Sequence, residues 1–435
     1  MSTRVNVFKN KNFTLLFFGV LVSNVAHILF NFVISLYVLR IAKEVYGDIY
    51  APLVQGIYLG VAGIVLVLFM PFGGVLADRI NKVKIMYFTD FIRGFTIIVT
   101  GLIIFMEPSA FIKLIALFIM NFILGVNSAF FNPASGSLLK FIVKESELPQ
   151  ASSYLHGSMN LQNILGLVLG GIMFSIFNVY VIFLINGIGY LISAITEIFI
   201  RYECNTKGED QKNGILSEIS SGVKYLYNYK PMFKLVIMAL AINFFTVPIL
   251  NNGYPYFIEY GLNEEVTYLF SSLLTVENWY SIILVSFSVS GIIMALILSN
   301  RKRKDNYGKD LATSIMVFAG IMVVLSMLMI LYFLRLLDVN ILLILLVLIN
   351  LLVGIASTSF NIPVQIIMQH KVDPDQLGKV ISVSGVLSQA LIPFASMIAG
   401  LIISKISIIS LYVFCSIGMI VVAISYYSGK SYREL

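Results

Sequence analysis

The chain has 435 residues, 59% of them hydrophobic and only 12% charged, with a mean hydropathy of +0.93. A soluble domain carries about 25% charged residues, so this composition cannot coat a globule in water, and lipid must be the solvent over most of the surface. The net charge of +7 invites a nucleic-acid partner, but the placement of the basic residues argues against one.

In chain order, the polar start Met1–Asn12 runs directly into about 27 apolar residues, longer than a signal h-region, so the first helix is expected to stay as a span. Apolar stretches follow at about 13–39, 53–76, 84–106, 110–139, 152–176 and 177–200, then at 233–258, 276–299, 311–334, 340–369, 379–404 and 406–427. Each can cross about 30 Å of hydrocarbon at 1.5 Å per residue, and helices satisfy their own backbone groups there. The spacing therefore predicts an all-α integral membrane protein with twelve transmembrane helices. With the N-terminus cytoplasmic, 23 basic residues fall in inner segments and 5 in outer ones, with Arg93 inside a span. That asymmetry places both termini in the cytoplasm of a multi-pass cell-membrane protein and accounts for the excess charge without nucleic acid.

Residues 201–232 divide the chain nearly in half, giving an expected N-terminal bundle over 1–200 and a C-terminal bundle over 233–435. Within the divider, Ile215, Leu216, Ile219, Val223, Leu226 and Tyr227 stand near helical spacing, as in a helix lying on the inner membrane surface; a solvated loop is the alternative. The two cysteines, Cys204 and Cys415, lie far apart without metal-ligand spacing and are expected to be free thiols. No cofactor and no metal site are expected.

Pairing the halves at a constant offset of 229 residues matches Asn121 with Asn350, Gly125 with Gly354, Ser128 with Ser357, Phe131 with Phe360 and Asn132 with Asn361. Ten identities in the 55 residues 121–175 are modest by number, but these five fall at one place in spans four and ten. Two six-helix bundles related by an axis along the membrane normal have this repeat.

Polar side chains recur on single faces of four spans. Span one carries Asn24, His27, Asn31 and Ser35 at steps of three, four and four. Span four carries Asn121, Gly125, Ser128, Asn132 and Ser135, and span ten carries Asn350, Gly354, Ser357, Asn361 and Gln365. Span seven offers Asn243 and Thr246. Such residues can be helix–helix glue. Their recurrence at three-span intervals favours a shared wet cavity, with Asn24, His27, Asn31, Asn132, Asn243, Ser357, Asn361 and Gln365 as candidate lining. His27 is either a proton carrier or a neutral histidine bonded to a neighbouring helix. An uncharged or weakly charged substrate is expected, since no carboxylate is evident at mid-depth.

The segment from Gly73 to Lys84, Gly-Gly-Val-Leu-Ala-Asp-Arg-Ile-Asn-Lys-Val-Lys, resembles motif A of the major facilitator superfamily at Gly74, Leu76, Ala77, Asp78, Arg79 and Lys82. Asn81 stands where glycine is usual, and asparagine tolerates positive φ. Asp90 and Arg93 lie one turn apart just beyond, positioned to pair with each other or with Arg79. The Asp-x-x-Arg after motif A and Asn132-Pro133 in span four resemble the macrolide-efflux branch of the third, twelve-span drug:proton antiporter group. Two positions depart from exporter patterns: Asn121 falls where motif B has arginine, and Leu167 replaces the proline of motif C in Gly166–Gly171.

The resemblance implies a secondary transporter, not an enzyme. It would export amphipathic drug-like or natural-product molecules by alternating access in antiport with protons, as a monomer in the bilayer. Gly74, Asp78, Arg79 and Lys82 would gate it, with Asp78 latching onto a second-half helix near Lys379–Ser382, and Asp90 and Arg93 would relay charge. An importer, a siderophore or metabolite exporter on the same fold, and a non-transporting membrane receptor are the alternatives.

Overall fold

The first helix, α1 (Lys11–Arg79), runs for 69 residues. At 1.5 Å per residue it would be about 100 Å long, some three times the hydrocarbon thickness, so it cannot be one crossing. Gly47 breaks it, with φ 78° and ψ 173°, a conformation open essentially to glycine alone. The outer loop expected around residues 40–52 is therefore a kink between two helical stretches. In this computed structural model, residues 7–202, 224–262, 268, 270–271, 273–300, 306–372 and 374–428 are described. Among them eleven helices are long and apolar enough to cross a membrane, and α1 supplies two crossings, which makes twelve.

After α1 come α2 (Lys82–Phe105), α3 (Ala110–Ile142), α4 (Leu148–Ile176) and α5 (Val179–Ile198). Then follow α6 (Lys230–Gly261), α7 (Val276–Ser299), α8 (Gly308–Phe333), α9 (Val339–Lys371), α10 (Pro374–Gln389), α11 (Ile392–Lys405) and α12 (Ile408–Ser428). The span expected at 379–404 is interrupted between α10 and α11, where Pro393 in the first turn of α11 cannot donate a helical bond. Toward its end α6 widens into π-turns at Ile249–Gly253 and Phe257–Gly261, next to Pro248 and Pro255. The repeat is visible in the helices themselves: α3 and α9 are both 33 residues long, and they start 229 residues apart (110 and 339) and end 229 apart (142 and 371).

The chain forms two compact units. The first comprises Met1–Val45 and Val61–Ile215, the second Tyr46–Gly60 and Leu216–Leu435. Tyr46–Gly60 packs with the second unit. The reason is close helix contact: a Cβ on Gly56 would stand 2.5 Å from the Ser396 carbonyl and 3.1 Å from the Gly400 Cα of α11. The expected amphipathic helix falls mainly on residues 203–223, outside those described.

Inside the first unit, α2 shows the inverted logic of a membrane helix. Phe88, Phe95 and Leu102, seven residues apart, are exposed as a lipid-facing stripe, while Asp90, Arg93, Thr100 and Gly101 are buried. The same holds for α5, with Ile185, Ile188, Ile192 and Ile195 exposed and Asn186, Tyr190, Ser193 and Glu197 buried. The two helices meet backbone to backbone, since a Cβ on Gly94 would lie 2.8 Å from the Gly187 carbonyl. At the basic end, Phe13, Leu16, Met86, Leu138, Ile142 and Ile200 close an apolar cluster over the ends of these helices.

In the second unit the inner face is likewise polar. Asn350 of α9 is fully buried and donates from Nδ2 to the Tyr254 hydroxyl at 2.8 Å and to the Leu346 carbonyl at 2.9 Å. Gly354, one turn on, lets α9 press on Phe287 and Ser290 of α7. Cys415 is buried in α12 as a free thiol, and Cys204 lies outside the described residues.

Candidate functional site

The polar stripes divide into residues that pack and residues that face open space. Asn121 and Asn350 are buried, and Gly125 and Gly354 sit against neighbouring backbone, so the early part of both stripes is helix–helix packing. Beyond them, Asn132, Asn361 and Gln365 are exposed, and Ser128 and Ser357 are half-buried.

In the second unit, three of the expected lining residues come together. Asn243 of α6 and Ser357 and Asn361 of α9 line one cavity of about 160 Å³, with Thr246, Phe287, Phe318 and Phe360. Asn361 Nδ2 donates to Ser357 Oγ at 3.2 Å, one turn apart, and Asn243 Nδ2 donates to the Ser388 carbonyl of α10 at 2.9 Å. Amides, hydroxyls and aromatic rings make a wall that can bond a neutral polar group and hold an apolar body; among the described residues no charged side chain lines it. Gln365 does not border this cavity.

In the first unit, Asn24 Nδ2 donates to Gln162 Oε1 of α4 at 3.0 Å, and Gln162 Nε2 donates to Ser158 Oγ at 2.9 Å. His27 and Asn31 are exposed on the same face of α1. Asn31 Nδ2 lies 3.0 Å from His27 Nε2, and the Tyr190 hydroxyl of α5 lies 3.2 Å from His27 Nδ1. With the amide donating, Nε2 accepts and Nδ1–H donates to the tyrosine, so this network suits the neutral ring.

Arg93 sits at the centre of a buried set. Its Nη1 donates to Asp90 Oδ1 at 2.9 Å and its Nη2 to Ser128 Oγ at 3.0 Å, and its guanidinium lies 4.5 Å from the Phe131 ring centre. Sequence reasoning missed Glu197, which is 1% exposed beside this pair, with neither carboxylate oxygen hydrogen-bonded. It stands at the end of an apolar span, where an acid is ordinarily solvated, so only the packing of α2 on α5 reveals it.

Motif A occupies the last turn of α1 and the start of α2. Gly74 is half-buried and Arg79, the last helical residue, is exposed. Lys82 is buried: its Nζ donates to the Ala77 carbonyl at 2.7 Å and lies 4.9 Å from the Phe141 ring centre. The side chain of Asp78, like those of Lys379 and Ser382, lies outside the described ones. The expectation for Asn81 is corrected: its φ is −56°, and its side chain accepts from the backbone N–H groups of Val83 at 3.0 Å and Lys84 at 3.3 Å. Asparagine replaces glycine here as a helix N-cap.

Comparison with known proteins agrees with this architecture. Residues 16–396 match the sequence model of the Major Facilitator Superfamily. Macrolide efflux protein A of Enterococcus faecalis is 23% identical over 329 residues, covering 75% of this chain and 93% of that protein. Macrolide efflux protein A of Streptococcus pyogenes is 22% identical over 344 residues, 78% of each chain. Among solved structures, a bacterial homologue of the iron transporter ferroportin superposes with a TM-score of 0.70 at 15% identity, over 98% of this chain and all of the other. The nucleoside transporter NupG gives 0.65 at 13%, over 94% and 98%. With a match spanning most of its length and a fold shared with solved transporters, this chain belongs to the major facilitator superfamily and is a multi-pass membrane transporter.

Proposed function

We propose that this transporter exports amphipathic, uncharged or weakly charged organic molecules of the macrolide or natural-product kind, by alternating access and in exchange for protons. The observation that carries this reading is the cavity of the second unit, whose described wall offers amides, hydroxyls and aromatic rings and no charge. Such a wall suits the polar and apolar groups of a neutral solute and offers no counter-charge to a buried cation. The macrolide-efflux names of relatives that cover three quarters of the chain supply the direction.

In this reading Asn24, His27, Asn31 and Asn132 contact substrate from the first unit, and Asn243, Ser357, Asn361 and Gln365 from the second. Gly74, Asp78, Arg79 and Lys82 gate the cycle, and the N-terminus is cytoplasmic. The test is accumulation of radiolabelled erythromycin in everted vesicles with an acid interior. Accumulation above protein-free vesicles, abolished by collapsing the pH gradient, is expected. Accumulation indifferent to the gradient removes the proton exchange, and unchanged rates in Asp78→Ala remove the gate.

A further inference from the structure

Glu197 lies in the last turn of α5, 1% exposed, and among the described residues neither of its oxygens has a hydrogen bond. Asp90 of α2 is completely buried; its Oδ1 receives Arg93, and the Ser193 hydroxyl is the other group that bears on its carboxylate. The groups around these two acids and their guanidinium come from four helices. Arg93 is on α2, Tyr190 and the Ser193 hydroxyl are on α5, and His27 of α1 faces Arg93. From α3, among the described residues, come the Ser128 hydroxyl and the Phe131 ring, both against Arg93.

The charges do not balance. Two carboxylates lie near one guanidinium, which bonds Asp90 through Nη1 and Ser128 through Nη2 and makes no hydrogen bond to Glu197 among the described residues. His27 spends its two ring nitrogens on Asn31 and Tyr190 rather than on either acid. A buried carboxylate with neither ion pair nor hydrogen bond is among the most costly arrangements a protein can hold, and more so inside a membrane. A metal ion would need several oxygen donors, and no group of three His, Cys, Asp or Glu capable of holding one occurs among the described residues. What the site lacks is a single proton.

We propose that Glu197, held beside the Asp90–Arg93 pair, is the proton-binding site of the transport cycle. It rests on the proton-exchange reading above and names the group that carries the proton. With Arg93 on Asp90, the proton is on Glu197 and the site is neutral. On release the O–H bond of Glu197 breaks, its electron pair stays on the carboxylate and the proton passes to water. Arg93 then has two carboxylates to choose between. The close approach of α2 and α5 at Gly94 and Gly187 keeps both acids near this one guanidinium.

The site is tested first without any substrate, by infrared spectroscopy of the protein in phospholipid vesicles. At neutral pH the wild type is expected to show a protonated-carboxyl stretch that disappears in Glu197→Gln. No such band in the wild type, or an unchanged band in the variant, overturns the assignment. Should the amide variant fail to fold, Glu197→Asp decides: its band must shift in frequency, and an unshifted band overturns the proposal. The second arm uses erythromycin. Glu197→Gln is expected to continue exchange at equal pH while gradient-driven accumulation falls to the level of protein-free vesicles. Gradient-driven accumulation that survives the substitution overturns the role in coupling. A wild type that moves no erythromycin counts against the substrate reading instead, and the infrared result then decides the proton site alone.

Discussion

Arg93 shows what one residue can anchor in a membrane. Its guanidinium joins α2 to α3 through Ser128 while pairing with Asp90 on its own helix. Removing the guanidinium leaves the buried Asp90 carboxylate uncompensated, so Arg93→Met should destabilise the protein by about 3–5 kcal/mol. Unfolding of the detergent-solubilised protein, followed through the single tryptophan, Trp279, would measure this; an unchanged midpoint would show that the pair is not buried in solution. His27 makes the contrast. Its network is that of a neutral ring, so His27→Gln should alter the apparent affinity for erythromycin and leave the gradient dependence of transport intact. Transport uncoupled from the pH gradient in that variant would count against the assignment of the proton to Glu197. The spacing of Asp90 and Arg93 was legible, because residues three apart share a helical face. Glu197 was not, because burial at the end of a span depends on which helix covers it.

At the scale of elements, a few small residues decide how the helices run. Gly47 holds a conformation that costs other residues about 1–3 kcal/mol, so Gly47→Ala should lower stability by that much. Gly136→Ala, in the interior of α3 with nothing within 4 Å of the new methyl, should be neutral to about 1 kcal/mol stabilising, and the two midpoints measured side by side test the difference. Asn350 gives a second test. Asn350→Leu strands the Tyr254 hydroxyl and should cost about 1–3 kcal/mol. The spans, their count and the repeat were readable from apolar length and an ungapped offset, and α3 and α9 begin and end at that same offset. The continuous course of α1 was not readable. The charged and polar residues from Arg40 to Asp48 look like a loop, yet helix persists on both sides of a single glycine. Nor was the capping role of Asn81, because a one-residue turn signal does not say whether the side chain or the backbone does the turning.

For the whole molecule, the placement of basic residues leads to a direct test of orientation. In a background with Cys204 and Cys415 replaced by serine, Asp338→Cys should react with a membrane-impermeant maleimide added to intact cells, and Lys144→Cys should react only after permeabilisation. The reverse pattern would invert the topology and with it the direction of export. The residues proposed to contact substrate share this dependence on the whole, since Asn243, Ser357 and Asn361 come from two helices and over a hundred positions of sequence to line one cavity. By itself the sequence determined that lipid is the solvent, that about twelve helices cross it, that the halves repeat and which family motif joins spans two and three. These follow from local quantities, namely apolar length, charge placement and helical period. Only the tertiary structure decided which polar side chains are packed away and which stay open. It also decided that an acid at a helix end sits buried beside an ion pair. Exposure belongs to neighbouring helices, and no residue carries that information alone.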